Sequence, residues 1–162
     1  MSDNTNGFAM NSVLFLCTGN YYRSRFAELL FNNLAPLSCL DWQATSRGLA
    51  IELGVNNSGP ISPFILEGLA LRGIQLDGEI RFPLPLEEQD LAKANRIIAL
   101  KRDEHLPMLQ RKFPHWVKRT EFWQVHDIDI ADPTVALPQI ERHIHELVQN
   151  LCKIRGLTLI DR

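Results

Sequence analysis

Residues 13–24 read VLFLCTGNYYRS. The first four residues are all apolar, and such a short unbroken run is typical of a strand that is buried on both faces of a parallel sheet. The run stops at Cys17, and a loop with Gly19 and Asn20 follows it. From about Arg23 onward, apolar residues recur at helical spacing. The stretch therefore predicts a strand, a tight loop and a helix in direct succession.

The same alternation of strand-like and helix-like segments continues along the chain. The first helix is predicted to end before Pro36, because proline cannot continue a helix. Alternation of this kind favours a single-domain, three-layer α/β/α fold with a doubly wound, four-stranded parallel sheet. Ligands of such sheets bind beyond the carboxyl ends of the strands, where Cys17 stands. Further strands are predicted at 42–45, 96–100 and 120–125, and further helices at 62–73, 86–94, 101–112 and from Ala136 to a cap at Gly156.

Length and composition limit the classes of protein to consider. The 162 residues suffice for one domain, which we place at 12–162 after a flexible tail over 1–11. The net charge of -2 argues against a nucleic-acid partner held by bulk charge. No apolar run approaches the roughly 18–20 residues of a membrane helix, and no secretory signal opens the chain, so no membrane partner is expected. Three scattered cysteines predict free thiols in a reducing cytoplasm.

The loop after the first strand has the composition of an anion-binding site. Backbone N–H groups of such a loop turn inward, and the next helix adds unpaired N-terminal donors and the positive end of its dipole. Arg23 can bind two oxygens of a tetrahedral anion, and the same positive field favours the thiolate of Cys17. Ser24 can donate a further hydrogen bond to that thiolate. The predicted phosphate-binding residues are Thr18, Gly19, Asn20, Tyr21, Tyr22, Arg23 and Ser24.

Residues 13–24 resemble the start of the low-molecular-weight protein tyrosine phosphatases, in which a strand is followed by Cys-x-Gly-Asn-x-x-Arg-Ser and the first helix. Chain length and the strand–helix alternation extend the resemblance over residues 12–157. It implies a metal-independent phosphatase without a cofactor, acting on a phosphorylated protein or a small phosphate ester. Cys17 then attacks phosphorus and forms a cysteinyl-phosphate intermediate, while Arg23 and the loop amides stabilise the phosphate oxygens in the transition state.

The resemblance also implies a general acid in an Asp-Pro pair before the last helix. Asp132-Pro133 stands there, and its carboxyl group would protonate the leaving oxygen and then activate water. Two alternatives stay open: Asp132 only caps the helix, or Asp127 is the acid. Ser46 matches a family serine that supports the loop asparagine, here Asn20, although a simple turn serine fits the position equally well.

Two departures from the family pattern bear on the substrate and on oxidation. Thr134 and the two residues after it replace the aromatic residues that usually follow Asp-Pro, which weakens the expectation of a phosphotyrosine preference. Tyr22 replaces the second loop cysteine found in many members. A neighbouring thiol that would protect Cys17 as a reversible disulfide is therefore not expected.

Two other functions are alternatives to the phosphatase. An arsenate reductase would use the same loop, because arsenate matches phosphate in shape and charge. It needs further thiols, however, and Cys39 and Cys152 have no paired spacing. The other alternative is a module that binds phosphate or a phosphoprotein without turnover. His143 and His145 point to different faces of the last predicted helix, so no metal site is expected.

Overall fold

The central sheet consists, in the described part of the chain, of four strands: β1 (Asn11–Cys17), β2 (Trp42–Gly48), β3 (Arg96–Ala99) and β4 (Thr120–Phe122). The computed structural model describes residues 10–126 and 132–154. All strand pairs are parallel, and the order across the sheet is β2-β1-β3-β4. β1 therefore lies inside the sheet, as its unbroken apolar run predicts, and the predicted strand–helix alternation and α/β class are confirmed.

Helices follow most strands and cover both faces of the sheet. Two short 3-10 helices, Ile51–Gly54 and Pro114–Arg119, were not predicted from the sequence. No helix in the described ranges is long and apolar enough to cross a membrane. The α-helices of those ranges are α1 (Arg23–Leu37), α2 (Pro63–Leu71), α3 (Glu88–Lys93), α4 (Arg102–Lys112) and α5 (Pro133–Ile154).

Alternate residues of β1 enter two separate hydrophobic cores. Val13 and Phe15 pack in a core shared with buried residues of α1, α2 and α5. Leu14 and Leu16 pack in the other core, with buried residues of α3 and α4. All four side chains are completely buried, because successive residues of a strand point to opposite faces and both faces are covered.

The predicted end of α1 before Pro36 is wrong. The helix continues through Pro36 to Leu37, because a proline in the last turn removes only one backbone donor. The carbonyls of Leu34 and Ala35 bind the N–H of Ser38, so the end of the helix remains hydrogen-bonded. Ala35 is also completely buried, and its packing holds this turn against the core.

Two predicted boundaries near the C-terminal half also differ from the structure. β4 ends at Phe122 rather than at residue 125, although the N–H of Val125 still binds the carbonyl of Leu100 at 2.8 Å. α5 begins at Pro133, three residues before the predicted start, because proline is well suited to the first position of a helix. The predicted cap at Gly156 lies outside the described residues.

The topology places one loop at the reversal point of the sheet. The chain passes from β1 to β2 on one side and later returns to β3 on the other side of β1. The connections after β1 and β3 therefore diverge, and they leave a crevice at the carboxyl ends of these two strands. Cys17 ends β1 and Lys101 follows β3 closely, so the crevice lies between the residues that come next.

Candidate active site

The loop between β1 and α1 is held in one conformation by its backbone. Asn20 adopts a φ of +52°, in the left-handed region that asparagine tolerates. The N–H groups of Leu49 and Ala50 bind the carbonyls of Cys17 and Thr18 at 2.8 and 2.9 Å. Gly48 allows this close approach, because a Cβ there would lie 2.9 Å from the Thr18 carbonyl oxygen. The loop is thus anchored to the chain that leaves β2.

The side-chain amide of Asn20 is the centre of the loop's hydrogen-bond network. Its Nδ2 donates to the hydroxyls of Ser24 (2.8 Å) and Ser46 (2.9 Å). Its Oδ1 accepts from Arg81 Nη1 (3.0 Å) and from the backbone N–H of Leu84 (3.1 Å). Both ends of the amide are therefore occupied, which fixes its orientation. The structure places Ser46 against Asn20, as the family resemblance implies.

The network also determines which group donates in the hydrogen bond between Ser24 and a Cys17 thiolate. Ser24 Oγ lies 2.9 Å from Cys17 Sγ, and it already accepts a hydrogen bond from the Asn20 amide. A hydroxyl has one proton, so that proton points to the sulfur when the thiolate is present. The geometry lets Ser24 donate to a negatively charged Cys17, and its role in stabilising the thiolate stays a prediction.

We expect Ser24→Ala to slow alkylation of Cys17 by iodoacetamide about tenfold at pH 6, because the thiolate loses a hydrogen bond of about 1.5 kcal/mol. The rate is measured by mass spectrometry of the peptide that contains Cys17. Ser58→Ala is the matched control, since only the carbonyl of Ser58 contacts the loop, through the Tyr21 hydroxyl. An unchanged rate in Ser24→Ala would contradict this role of the hydroxyl.

Arg23 is held by a carboxylate that the sequence analysis did not identify. Its Nη1 and Nη2 donate to the two carboxylate oxygens of Glu104, at 3.1 and 2.8 Å. Nη1 also donates to the carbonyl of Val125 at 3.2 Å. Arg23 is almost completely buried. A guanidinium has donors on two edges, so a carboxylate can orient it along one edge while another edge serves an anion.

Glu104 joins Arg23 to the start of the loop between β1 and α1. It also accepts a hydrogen bond from the hydroxyl of Thr18, and His105 Nε2 lies 3.4 Å from its Oε2. The N–H of Lys101 donates to His105 Nδ1 at 3.0 Å, which assigns the ring proton to Nε2. Burial alone would raise the pKa of Glu104, but the hydrogen bonds from His105 and Arg23, the Arg23 charge and the Thr18 hydroxyl outweigh it and hold the pKa well below its usual range.

We expect Glu104→Gln to lower the free energy of unfolding at pH 7 by about 1–3 kcal/mol, because a charged acceptor becomes neutral. The depressed pKa means that the carboxylate stabilises the fold fully above the pKa of an unfolded carboxyl group. That contribution is lost as the pH falls toward the folded-state pKa. Urea unfolding should therefore show a smaller difference between wild type and variant at pH 4 than at pH 7. An equal difference at both pH values, or the same behaviour in the exposed control Glu52→Gln, would refute this.

Three further charged residues, Arg81, Glu28 and Arg25, support the loop through hydrogen bonds and charges, and none of them was identified from the sequence. Arg81 Nη2 donates to the hydroxyl and carbonyl of Ser46, both at 3.0 Å, and to Glu28 at 3.2 Å. The Ser46 hydroxyl in turn donates to Glu28 at 2.5 Å. Burial and the neighbouring charge of Arg81 lower the pKa of Arg25 to about 10. Arg25 and Glu28 lie on α1 directly after the loop, whereas Arg81 comes from a distant segment, so sequence spacing gives no signal for Arg81.

A cavity of about 360 Å³ opens above the loop. Leu53 and Phe64 stand on its walls, and the ring of Tyr21 is fixed because its hydroxyl donates to the Ser58 carbonyl at 2.6 Å. Asn20 and Ser24 are buried beneath the lining. Of the predicted phosphate-binding residues, the lining includes Thr18, Gly19, Tyr21, Tyr22 and Arg23, together with Cys17.

Of the two candidate acids, Asp132 lies in the described part of the chain. Asp132 Oδ1 accepts from the N–H of Thr134 at 2.9 Å and from its hydroxyl, so this carboxylate caps α5. It lines a second cavity, which shares Phe64 with the first, and it is not among the described residues that line the cavity above Cys17. Asp127 lies outside the described residues. Within residues 10–126 and 132–154, no group of three potential metal ligands comes together.

Comparisons with known proteins were made by sequence and by structure. The family model for low molecular weight phosphotyrosine protein phosphatase matches residues 12–155. No curated protein matches the sequence. A low molecular weight protein tyrosine phosphatase from T. tengcongensis superposes with a TM-score of 0.69 and 25% identity, over 88% of this chain and 98% of that one.

Two other solved structures share the fold at lower identity. Wzb from Vibrio vulnificus, in complex with benzylphosphonate, has a TM-score of 0.73 and 16% identity, over 88% of this chain and 99% of that chain. The YwlE arginine phosphatase from Geobacillus stearothermophilus has a TM-score of 0.72 and 21% identity, over 90% and 95%. The family match covers the cysteine loop, the sheet and most of α5. The chain therefore belongs to the low molecular weight phosphotyrosine protein phosphatase family, whose members are cysteine-based phosphomonoesterases.

Proposed function

We propose that this chain hydrolyses aryl phosphate monoesters, including phosphotyrosine in proteins, through a cysteinyl-phosphate intermediate and without a metal ion. One observation carries the proposal: Cys17 and Arg23 line the same cavity, at the N-terminus of α1. A nucleophile and a bidentate anion ligand thus meet at the positive end of a helix dipole.

The first step forms a bond between Cys17 Sγ and phosphorus while the bond to the ester oxygen breaks. Charge develops on the three equatorial phosphate oxygens, and Arg23 together with the loop amides stabilises it. Glu104 keeps the guanidinium of Arg23 in place during this step, because it binds both terminal nitrogens. The role of the protein is largely to fix positions and charges in advance.

Proton transfer is assigned to Asp132, which would protonate the leaving oxygen and then accept a proton from the water that attacks the thiophosphate. Its position at the start of α5, across Phe64 from the cavity above Cys17, supports this role. The carboxylate must rotate away from Thr134 to reach the leaving oxygen. Asp127 is the alternative, since the carbonyl of Val125, two residues earlier, contacts Arg23.

We expect Asp132→Asn to lower kcat/KM by about 10²-fold with phenyl phosphate and by clearly less with p-nitrophenyl phosphate, because kcat/KM reports the step in which the leaving oxygen departs and the better leaving group needs less protonation. Asp127→Asn, tested in the same way, should change both rates less than threefold. The opposite pattern would assign the acid to Asp127. Equal losses for the two substrates in both variants would exclude either residue as the acid.

The walls of the cavity favour a flat, neutral leaving group. Leu53, Pro63 and Phe64 contribute apolar surface, and the described lining contains no carboxylate that could pair with a guanidinium. Phosphoarginine is nevertheless the second substrate to test, because one structural relative is an arginine phosphatase. The arsenate reductase alternative gains no support from the thiols, since Cys39 is exposed and Cys152 is buried in a core away from the lining.

Hydrolysis of p-nitrophenyl phosphate between pH 5 and 8, in the presence of a chelator, tests the proposed function. Turnover that survives the chelator supports a metal-independent phosphatase, and its loss in Cys17→Ser assigns the nucleophile to Cys17. Absence of turnover with p-nitrophenyl phosphate, phosphotyrosine and phosphoarginine would reject it and leave the binding module as the better account.

A further inference from the structure

A second cavity, of about 430 Å³, lies beside the catalytic one. We call it the α2–α5 cleft and define it by Phe64, Gly68, Leu71, Leu137 and Pro138. Phe64 lines both cavities, so its ring forms the ridge between them. A peptide chain that passes over this ring from the loop of Cys17 would enter the cleft.

The cleft presents apolar side chains to solvent. Phe64, Gly68 and Leu71 follow one another at a spacing of four and three residues, so they share one face of α2. Phe64 is 45% exposed and Leu71 is 80% exposed. The two helices are close at Gly68, where a Cβ would lie 2.5 Å from Leu137 Cδ1. Gly68 therefore allows α2 to approach α5 at the floor of the cleft, between two exposed apolar residues.

The charges around the cleft are unequal. Among the described lining residues the one cation, Arg72, donates to Glu141 and to the Gly68 carbonyl, each at 2.9 Å, so its charge is compensated. Glu67 also lines the cleft and has no lysine or arginine partner among the described residues, whereas Asp132, the proposed general acid, is bound by Thr134. The cleft therefore combines an apolar surface with the uncompensated carboxylate of Glu67, which suits an apolar side chain next to a cationic one.

We propose that the α2–α5 cleft binds the segment of a phosphoprotein substrate next to the phosphorylated residue, and that it prefers an apolar residue followed by lysine or arginine. The inference rests on the proposed function for its substrate. Two observations select this occupant: the shared wall at Phe64, which places the cleft next to the cavity above Cys17, and the uncompensated carboxylate of Glu67. Apolar contacts supply affinity, and the Glu67 carboxylate supplies selectivity.

The test compares phosphotyrosyl peptides that carry either Leu-Lys or Ala-Glu at the second and third positions on both sides of the phosphotyrosine. We expect kcat/KM of the wild type to be about tenfold higher for the Leu-Lys peptide, the discrimination typical of one apolar side chain in a pocket. A single value for both peptides would overturn the proposal. Turnover of p-nitrophenyl phosphate, which is too small to reach the cleft, reports on the catalytic cavity alone.

Two substitutions on α2 test the contribution of the cleft to substrate preference separately from turnover in the catalytic cavity. Leu71→Ser removes the apolar contact without adding a charge and should reduce the preference to less than twofold; Glu67→Lys should also reduce the preference, because it repels the lysine of the peptide, with p-nitrophenyl phosphate turnover within twofold of wild type in both. Leu37→Ser, at a leucine that is 70% exposed at the end of α1, and Glu146→Lys, at an exposed position on α5, are matched controls and should keep the preference. Preference retained in Leu71→Ser, or lost equally in Leu37→Ser, would reject the cleft as the binding surface.

Binding measurements test the cleft independently of the proposed phosphatase activity. Calorimetric titration of Cys17→Ser with the same two peptides should give a Kd about tenfold lower for the Leu-Lys peptide. If p-nitrophenyl phosphate is not hydrolysed by the wild type but this preference is found, the phosphatase proposal fails and the cleft proposal stands. If hydrolysis is found and neither kcat/KM nor Kd distinguishes the peptides, the cleft proposal fails alone.

Discussion

Cys17→Ser is expected to reduce kcat for p-nitrophenyl phosphate by at least about 10⁴-fold, a loss comparable to removal of other catalytic nucleophiles. The serine hydroxyl occupies nearly the same place beside Ser24 but is not ionised at neutral pH. The covalent step therefore loses its nucleophile, while the anion-binding loop keeps its shape. Initial rates at saturating substrate measure this loss.

The control for this substitution is Cys39→Ser. Cys39 is an exposed cysteine just beyond the C-terminus of α1, so the same chemical change there should leave kcat within twofold of wild type. Binding of inorganic phosphate should also survive in Cys17→Ser, because its proposed ligands are Arg23 and the loop amides. Residual turnover above about one-hundredth of wild type, in protein free of contaminating phosphatase, would show that another group attacks phosphorus.

Arg23→Lys is expected to lower kcat/KM for p-nitrophenyl phosphate by about 10³-fold. Lysine keeps the charge but cannot bind both Glu104 and a phosphate through planar pairs of donors. The substitution thus removes two bidentate contacts at once, one to the substrate and one that positions the side chain. Steady-state rates and competition by inorganic phosphate measure the two consequences separately.

A second arginine offers a close match for this experiment. Arg96 on β3 also makes a bidentate contact, with Glu121, at 2.8 and 2.6 Å, but it does not line the catalytic cavity. Arg96→Lys should therefore cost little activity. The loss of kcat/KM in Glu104→Gln should lie between the losses in Arg23→Lys and Arg96→Lys, at about tenfold, because Arg23 keeps its charge and loses only an orienting partner. Similar losses in Arg23→Lys and Arg96→Lys would point to a general effect on folding.

Local sequence was sufficient to predict the loop, since the features that form it are adjacent in the chain. An apolar strand buried on both faces, a residue tolerant of positive φ and a helix start all lie within residues 13–24. The contact of Ser46 with Asn20 could be inferred only through the family resemblance. The course of α1 through Pro36 could not be predicted, because tertiary packing of the last turn outweighs the intrinsic preference of proline.

The charged residues that support the loop could not be identified from the sequence alone. Glu104 and Arg81 lie far from the cysteine motif and carry no pattern of their own, and Glu28 lies on α1 just beyond the motif. The roles of Glu104 and Arg81 arise only when the segment after β3 and the irregular segment before α3 come close to the carboxyl end of β1. Long-range contacts of this kind depend on topology, and a surface glutamate has the same appearance in the sequence as one that orients Arg23.

The occupied amide of Asn20 has a consequence for the thermodynamics of anion binding. Its four hydrogen bonds, to two hydroxyls, one guanidinium and one backbone N–H, already order the loop in the protein without a ligand. Conformational entropy of the loop is thus lost during folding, and an arriving oxyanion meets a rigid receptor. A substitution of Arg81, which does not line the cavity, would leave the loop less ordered before an anion binds, so the entropy loss would occur during binding instead of during folding. Such a variant should show a less favourable binding entropy with a nearly unchanged contact surface.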